Sequence, residues 1–118
     1  YYSAITKFKS IYNGRYDYSI DEIKHILMEV VEDYNIVNNR KRENVLKRMY
    51  IFYFLKNELK ADLSLKKIGG TLGYNHASVL YNIERAEEFL EIEDSLFLST
   101  IKDLRTDLFS KFKEHLKR

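Results

Sequence analysis

"LSLKKIGGTLGYNHASVLYNI", residues 63–83, is the stretch on which the fold of this chain turns. Leu65, Ile68 and Leu72 recur at helical spacing, and Ser64 before them is a favoured N-cap, so a short helix is expected from about Ser64 to Leu72. Gly73 breaks it. Asn75, another favoured cap residue, then opens a second segment in which Val79, Ile83, Ala86 and Leu90 fall on one face. A short helix, a turn of about three residues and a longer helix form the outline of a helix-turn-helix. The mouth of the second helix carries Asn75, His76, Ala77 and Ser78, which are small or polar and able to meet a base edge.

Outward from this stretch, helical periodicity persists. Ile5, Phe8 and Ile11/Tyr12 predict a helix over 3–12, ended by Asn13-Gly14. Ser19-Ile20-Asp21-Glu22 has the form of a capping box, and the helix after it runs to about Tyr34. Its apolar face is Ile23, Ile26, Leu27, Val30 and Val31. Residues 35–43 form a polar, basic turn. A third helix from about Asn44 to Leu59 is apolar almost all round, which marks it as the buried central element. "MYIFYFL", residues 49–55, also suits a strand, but good helix formers flank it and no partner strand exists. A last helix from about Asp94 to Leu116 keeps a seam of Phe97, Ile101, Leu104, Leu108, Phe112 and Leu116. The expectation is an all-α fold of about six helices, in one domain over 1–118.

Composition narrows the function. No Pro and four Gly argue against a turn-rich β fold. The absence of Cys removes disulfides, thiolate metal sites and Cys nucleophiles, and fits a reducing cytoplasm, the expected location. No apolar run reaches the roughly 18 residues of a membrane span. Net charge is only +2, yet residues 39–60 carry seven Lys/Arg against two Glu. Residues 84–94 carry six acids against one Arg. This asymmetry points to an anionic partner for the basic part, although charge runs are often only solvated helix faces.

The residues around the turn are more specific than its outline. Ser64-Leu65-Lys66-Lys67-Ile68-Gly69-Gly70-Thr71-Leu72-Gly73-Tyr74-Asn75-His76-Ala77-Ser78-Val79 resembles the signature of domain IV, the C-terminal DNA-binding domain of the bacterial replication initiator DnaA. The Ser-Leu, Ile-Gly, Gly, His, Ser/Thr-like and Val positions match. So does the layout of a basic turn, a hydrophobic helix ending "NEL", the motif, and a charged "ERAEEFLE". The resemblance covers about residues 19–95. It implies a Trp-repressor-like bundle over 19–93, with an N-terminal extension helix in 1–18 and a C-terminal helix in 94–118.

It also implies double-stranded DNA as partner, in replication initiation or transcription control; the chain is then either a fragment of a larger protein or a module that works alone, as in a phage or mobile element. Base contacts would fall to Asn75, His76, Ala77 and Ser78. Arg40 and Arg42 in the basic turn would enter the minor groove. Lys41, Lys47, Arg48, Lys66, Lys67, Tyr74 and Tyr81 would be the phosphate contacts. The sequence departs from the family where "GGRD" becomes the shorter "GYN", leaving the Arg without a counterpart and placing Asn75 where the family has Asp. Asn pairs with adenine rather than accepting from the cytosine amino group, so the family's usual DNA box is not expected as the target.

The initiator's phosphate-binding loop is absent, and no nucleophile, base or metal-ligand set clusters. No enzyme activity, cofactor or small-molecule substrate is expected. The competing reading is a non-catalytic structural or protein-interaction module that keeps the fold without DNA. Either terminal helix is a candidate surface for a homodimer.

Overall fold

A computed structural model describes residues 20–34, 36, 41–59 and 64–116. The predicted helix over 3–12, the Ser19 cap and Arg40 lie outside these residues. Helix α1 spans Ile20–Tyr34, with Asp21 and Glu22 in its first turn, where the helix dipole favours acids. Its five expected apolar residues, Ile23, Ile26, Leu27, Val30 and Val31, are all buried.

Helix α2 spans Arg42–Tyr53, opening two residues before the expected Asn44. The Lys41 carbonyl accepts from both Asn44 and Val45 N–H at 3.0 Å, which starts the helix without a side-chain cap. Met49 to Leu55 is helical throughout and not a strand, and every residue of it is buried. Phe54–Glu58 form a π-helical turn, in which the Leu59 N–H reaches back to the Phe54 carbonyl at 2.8 Å.

Helix α3 spans Leu65–Leu72, α4 spans His76–Glu91 and α5 spans Ser95–Leu116. Asp94 accepts the Phe97 N–H on its carboxylate at 2.9 Å and so caps α5. The described residues therefore hold five helices and no strand, an all-α fold. The sixth expected helix falls in the residues not described.

Helix α2 is the axis of the core. The Phe54 ring meets Phe109 and Phe112 of α5 at centroid distances of 5.2 and 5.4 Å. Phe52 receives the edge of Tyr74 from the α3–α4 turn at 5.5 Å. Phe97, Ile101, Leu104, Leu108 and Phe112 are all buried in the same core. The seam of α5 is thus covered by its own chain. Leu116 is the one seam residue whose side chain is not described.

Polar contacts hold α1 to α5. The Tyr34 hydroxyl donates to the Asp107 carboxylate, and Lys111 pairs with Glu29 at 3.2 Å. Burial, and then the hydrogen bond to Asp107 with its negative charge, push the Tyr34 phenol well above its ordinary range.

Candidate functional site

The two helices of the opening stretch are fixed at each end by local chemistry. Ser64 adopts an extended backbone (φ −71°, ψ 159°), and its hydroxyl accepts the Lys67 N–H at 3.2 Å. At the far end of α3, Gly73 enters the left-handed region (φ 78°, ψ 30°). The Tyr74 N–H then returns to the Gly69 carbonyl at 2.8 Å, the six-to-one bond of a Schellman ending. Asn75 is extended (φ −80°, ψ 166°), and its Oδ1 accepts the Ser78 N–H at 2.9 Å. Both expected caps are present.

Gly69 sets how closely α3 and the turn approach α4. A Cβ placed on it would lie 2.2 Å from the Tyr74 carbonyl oxygen and 2.9 Å from Val79 Cγ2. No side chain fits there. Gly70, one residue on, faces open space. Val79, Ile83, Ala86 and Leu90 turn α4 onto the core, all four as expected from spacing. The opposite arc of α4 is exposed.

The expected contact residues divide into three groups. His76 and Ala77 are exposed on the first turn of α4, and Ser78 is half-buried beside them. Asn75 is exposed, with Oδ1 engaged as the cap. These four stand together at the mouth. Lys66 and Lys67 are exposed at the start of α3, and Lys41 and Arg42 are exposed at the start of α2. The third group has work inside the fold. Lys47 holds its ammonium 5.1 Å from the centre of the Tyr34 ring, a cation–π contact. Arg48 donates from Nη1 to the Ile36 carbonyl at 3.1 Å. Both are half-buried and fasten the end of α1 to α2. Tyr74 is half-buried with its ring on Phe52, whereas Tyr81 is 58% exposed.

Charge is distributed unevenly along α4. Residues 76–83 contain no acid and no Lys or Arg, and the acids begin at Glu84. Arg85 is drawn into its own helix by Glu88 at 2.8 Å and by the Phe89 ring at 5.0 Å. Leu80 went unnoticed in the sequence, yet it is 45% exposed on the outward arc. The signal was present. With Val79 and Ile83 facing in, Leu80 falls about 100° round the helix from Val79, on the flank of the buried face rather than within it.

Compared with known proteins, the chain matches no family profile, no curated protein and no solved structure.

Proposed function

We propose that this chain is a double-stranded DNA-binding module, with α3, the Gly73–Asn75 turn and α4 acting as a helix-turn-helix. The observation that carries the reading is the mouth of α4. His76 and Ala77 stand exposed there, on two uncharged turns held rigidly by the Asn75 cap and the Gly69 seat. In this reading the mouth enters the major groove. Asn75 adds the adenine-directed amide, through Nδ2 and the second lone pair of Oδ1. His76 donates to an acceptor edge, and Ser78 bonds a base or phosphate. Lys66 and Lys67 at the start of α3, and Lys41 just before α2, neutralise phosphates. Arg42, with Arg40, reaches the minor groove. Lys47 and Arg48 contribute less than the resemblance implies, because each already has a partner within the fold. The biological setting is replication initiation or transcription control, as in the initiator domain that the motif resembles.

The test is a titration against A·T-rich and mixed duplexes at two salt concentrations, with His76→Ala and Arg40→Ala/Arg42→Ala variants. Each phosphate contact adds about −0.9 to the slope of log K against log salt. Steep salt dependence, weakened affinity in both variants and a shallower slope in the Arg variant are expected. Binding indifferent to these residues, or none at low salt, refutes the reading.

One observation favours a protein-interaction module instead. At the α4–α5 corner Ile92 is 70% and Leu96 50% exposed among the acids that follow Glu84. Failure of the DNA titration would turn attention to that corner.

A further inference from the structure

The outward arc of α4 lacks the side chains that most often read guanine. Arg or Lys bidentate to O6 and N7 is the commonest specific contact in the major groove. None occurs from Gly73 to Glu84, and the first cation, Arg85, is tied to Glu88 and Phe89. What the first two turns present instead is His76, Ala77, Leu80 and Tyr81.

Two of these are large and apolar yet exposed, Leu80 at 45% and Tyr81 at 58%. Leu80 is one turn on from His76, on the same side of the helix. At about 1.5 Å per residue, Leu80 and Tyr81 lie roughly 6 and 7.5 Å along the helix axis from His76, within the first two turns that a recognition helix lays against the base edges. Glu84, the first acid of α4, lies about 12 Å along the axis, beyond those two turns. Leu80 sits inside this uncharged length.

A leucine side chain neither donates nor accepts a hydrogen bond. Set against guanine or cytosine edges, it strips water from polar atoms and returns nothing. Against thymine it meets the 5-methyl group, the one apolar feature of the major-groove edge. We infer that α4 selects A·T pairs through the thymine methyl, with Leu80 as the principal contact beside Ala77. This rests on the DNA-binding reading above and names the base that the site recognises.

Uracil supplies the probe, because it differs from thymine only by that methyl. The full chain is titrated at low salt with an alternating A·T duplex and with the same duplex in which every thymine is uracil, using wild type and Leu80→Ala. Leu80 is off the core, so its truncation leaves the fold intact, which circular dichroism checks. Wild type is expected to favour the thymine duplex about fourfold for each methyl seated. Leu80→Ala should lower that ratio about fourfold while holding its affinity for the uracil duplex. Equal wild-type affinity for the two duplexes, or a preference that Leu80→Ala leaves unchanged, overturns the inference and spares the DNA reading. No binding to either duplex overturns both.

Discussion

Replacing Gly69 by Ala asks whether the close seat of α3 on α4 is real, and Gly70 provides an internal control one residue away. Both glycines lie inside α3, so each substitution should gain about 1 kcal/mol of helix propensity. At Gly70 nothing opposes that gain, since the new methyl meets open space. At Gly69 the methyl lands 2.2 Å from the Tyr74 carbonyl oxygen and 2.9 Å from Val79 Cγ2. The carbonyl is backbone and cannot rotate aside. Its own residue is pinned by the 2.8 Å bond from the Tyr74 N–H to the Gly69 carbonyl. Overpacking costs about 1–3 kcal/mol, and a backbone obstacle belongs at the upper end.

Gly69→Ala should therefore lose about 2 kcal/mol net, and the two variants should differ by about 3 kcal/mol. With unfolding entropy near ~2.1 cal/mol/K per residue, the midpoints should separate by roughly 12 °C for a chain of this length. Urea and thermal denaturation followed by far-UV circular dichroism measure this directly, with a common m-value as the check on two-state behaviour. If Gly69→Ala is as stable as Gly70→Ala, α3 and α4 do not approach as described, and the geometry of the mouth must be redrawn.

Three further outcomes follow from named contacts. Asn75→Ala should cost about 1 kcal/mol through loss of the cap to Ser78 N–H, whereas Asn75→Asp retains an acceptor there and should stay near wild type in the same denaturation assay. Gly73→Ala should cost about 1 kcal/mol, because φ is 78° and a Cβ is disfavoured in the left-handed region; Gly73→Asn, which tolerates it better, should lose less. The Tyr34 phenol is raised in the folded chain, so its contribution is intact below the ordinary tyrosine value of about 10 and fades as pH climbs above it. Stability measured from pH 8 to about 11 should then fall more steeply in wild type than in Tyr34→Phe.

Legibility in the sequence followed the range of the interaction responsible. The ends of α3 and α4 were readable because Ser64, Gly73 and Asn75 act on backbone groups within a few residues. The inward faces of α1, α4 and α5 were readable because polar residues alternate with them and mark the phase. Within 49–55 every position is apolar, so no polar stripe records the register, and the π-turn beginning at Phe54 went unseen. The Tyr34–Asp107 bond joins residues 73 apart, a pairing that no local pattern encodes. Lys47 and Arg48 looked like surface cations for the same reason, since Tyr34 and the Ile36 carbonyl that engage them are supplied by the preceding segment. At the mouth of α4 the residue types were legible one by one. How far each is exposed depends on the neighbouring elements as well as on its helical phase, as Ser78 half-buried beside exposed Ala77 shows.

The π-turn of α2 also bears on how this chain can change in length. Its five-residue reach from Leu59 to Phe54 contains one residue more than an α-helical turn would hold. Deleting a residue there lets the turn tighten to the regular form while the flanking segments keep their orientation. Lys56 is the exposed residue of the turn and the least costly to lose. A deletion between Leu46 and Tyr53 has no such reserve, and it would swing the rest of the buried helix through about 100°. Relatives that differ by a single insertion or deletion across α2 and its π-turn should therefore place it between Phe54 and Glu58.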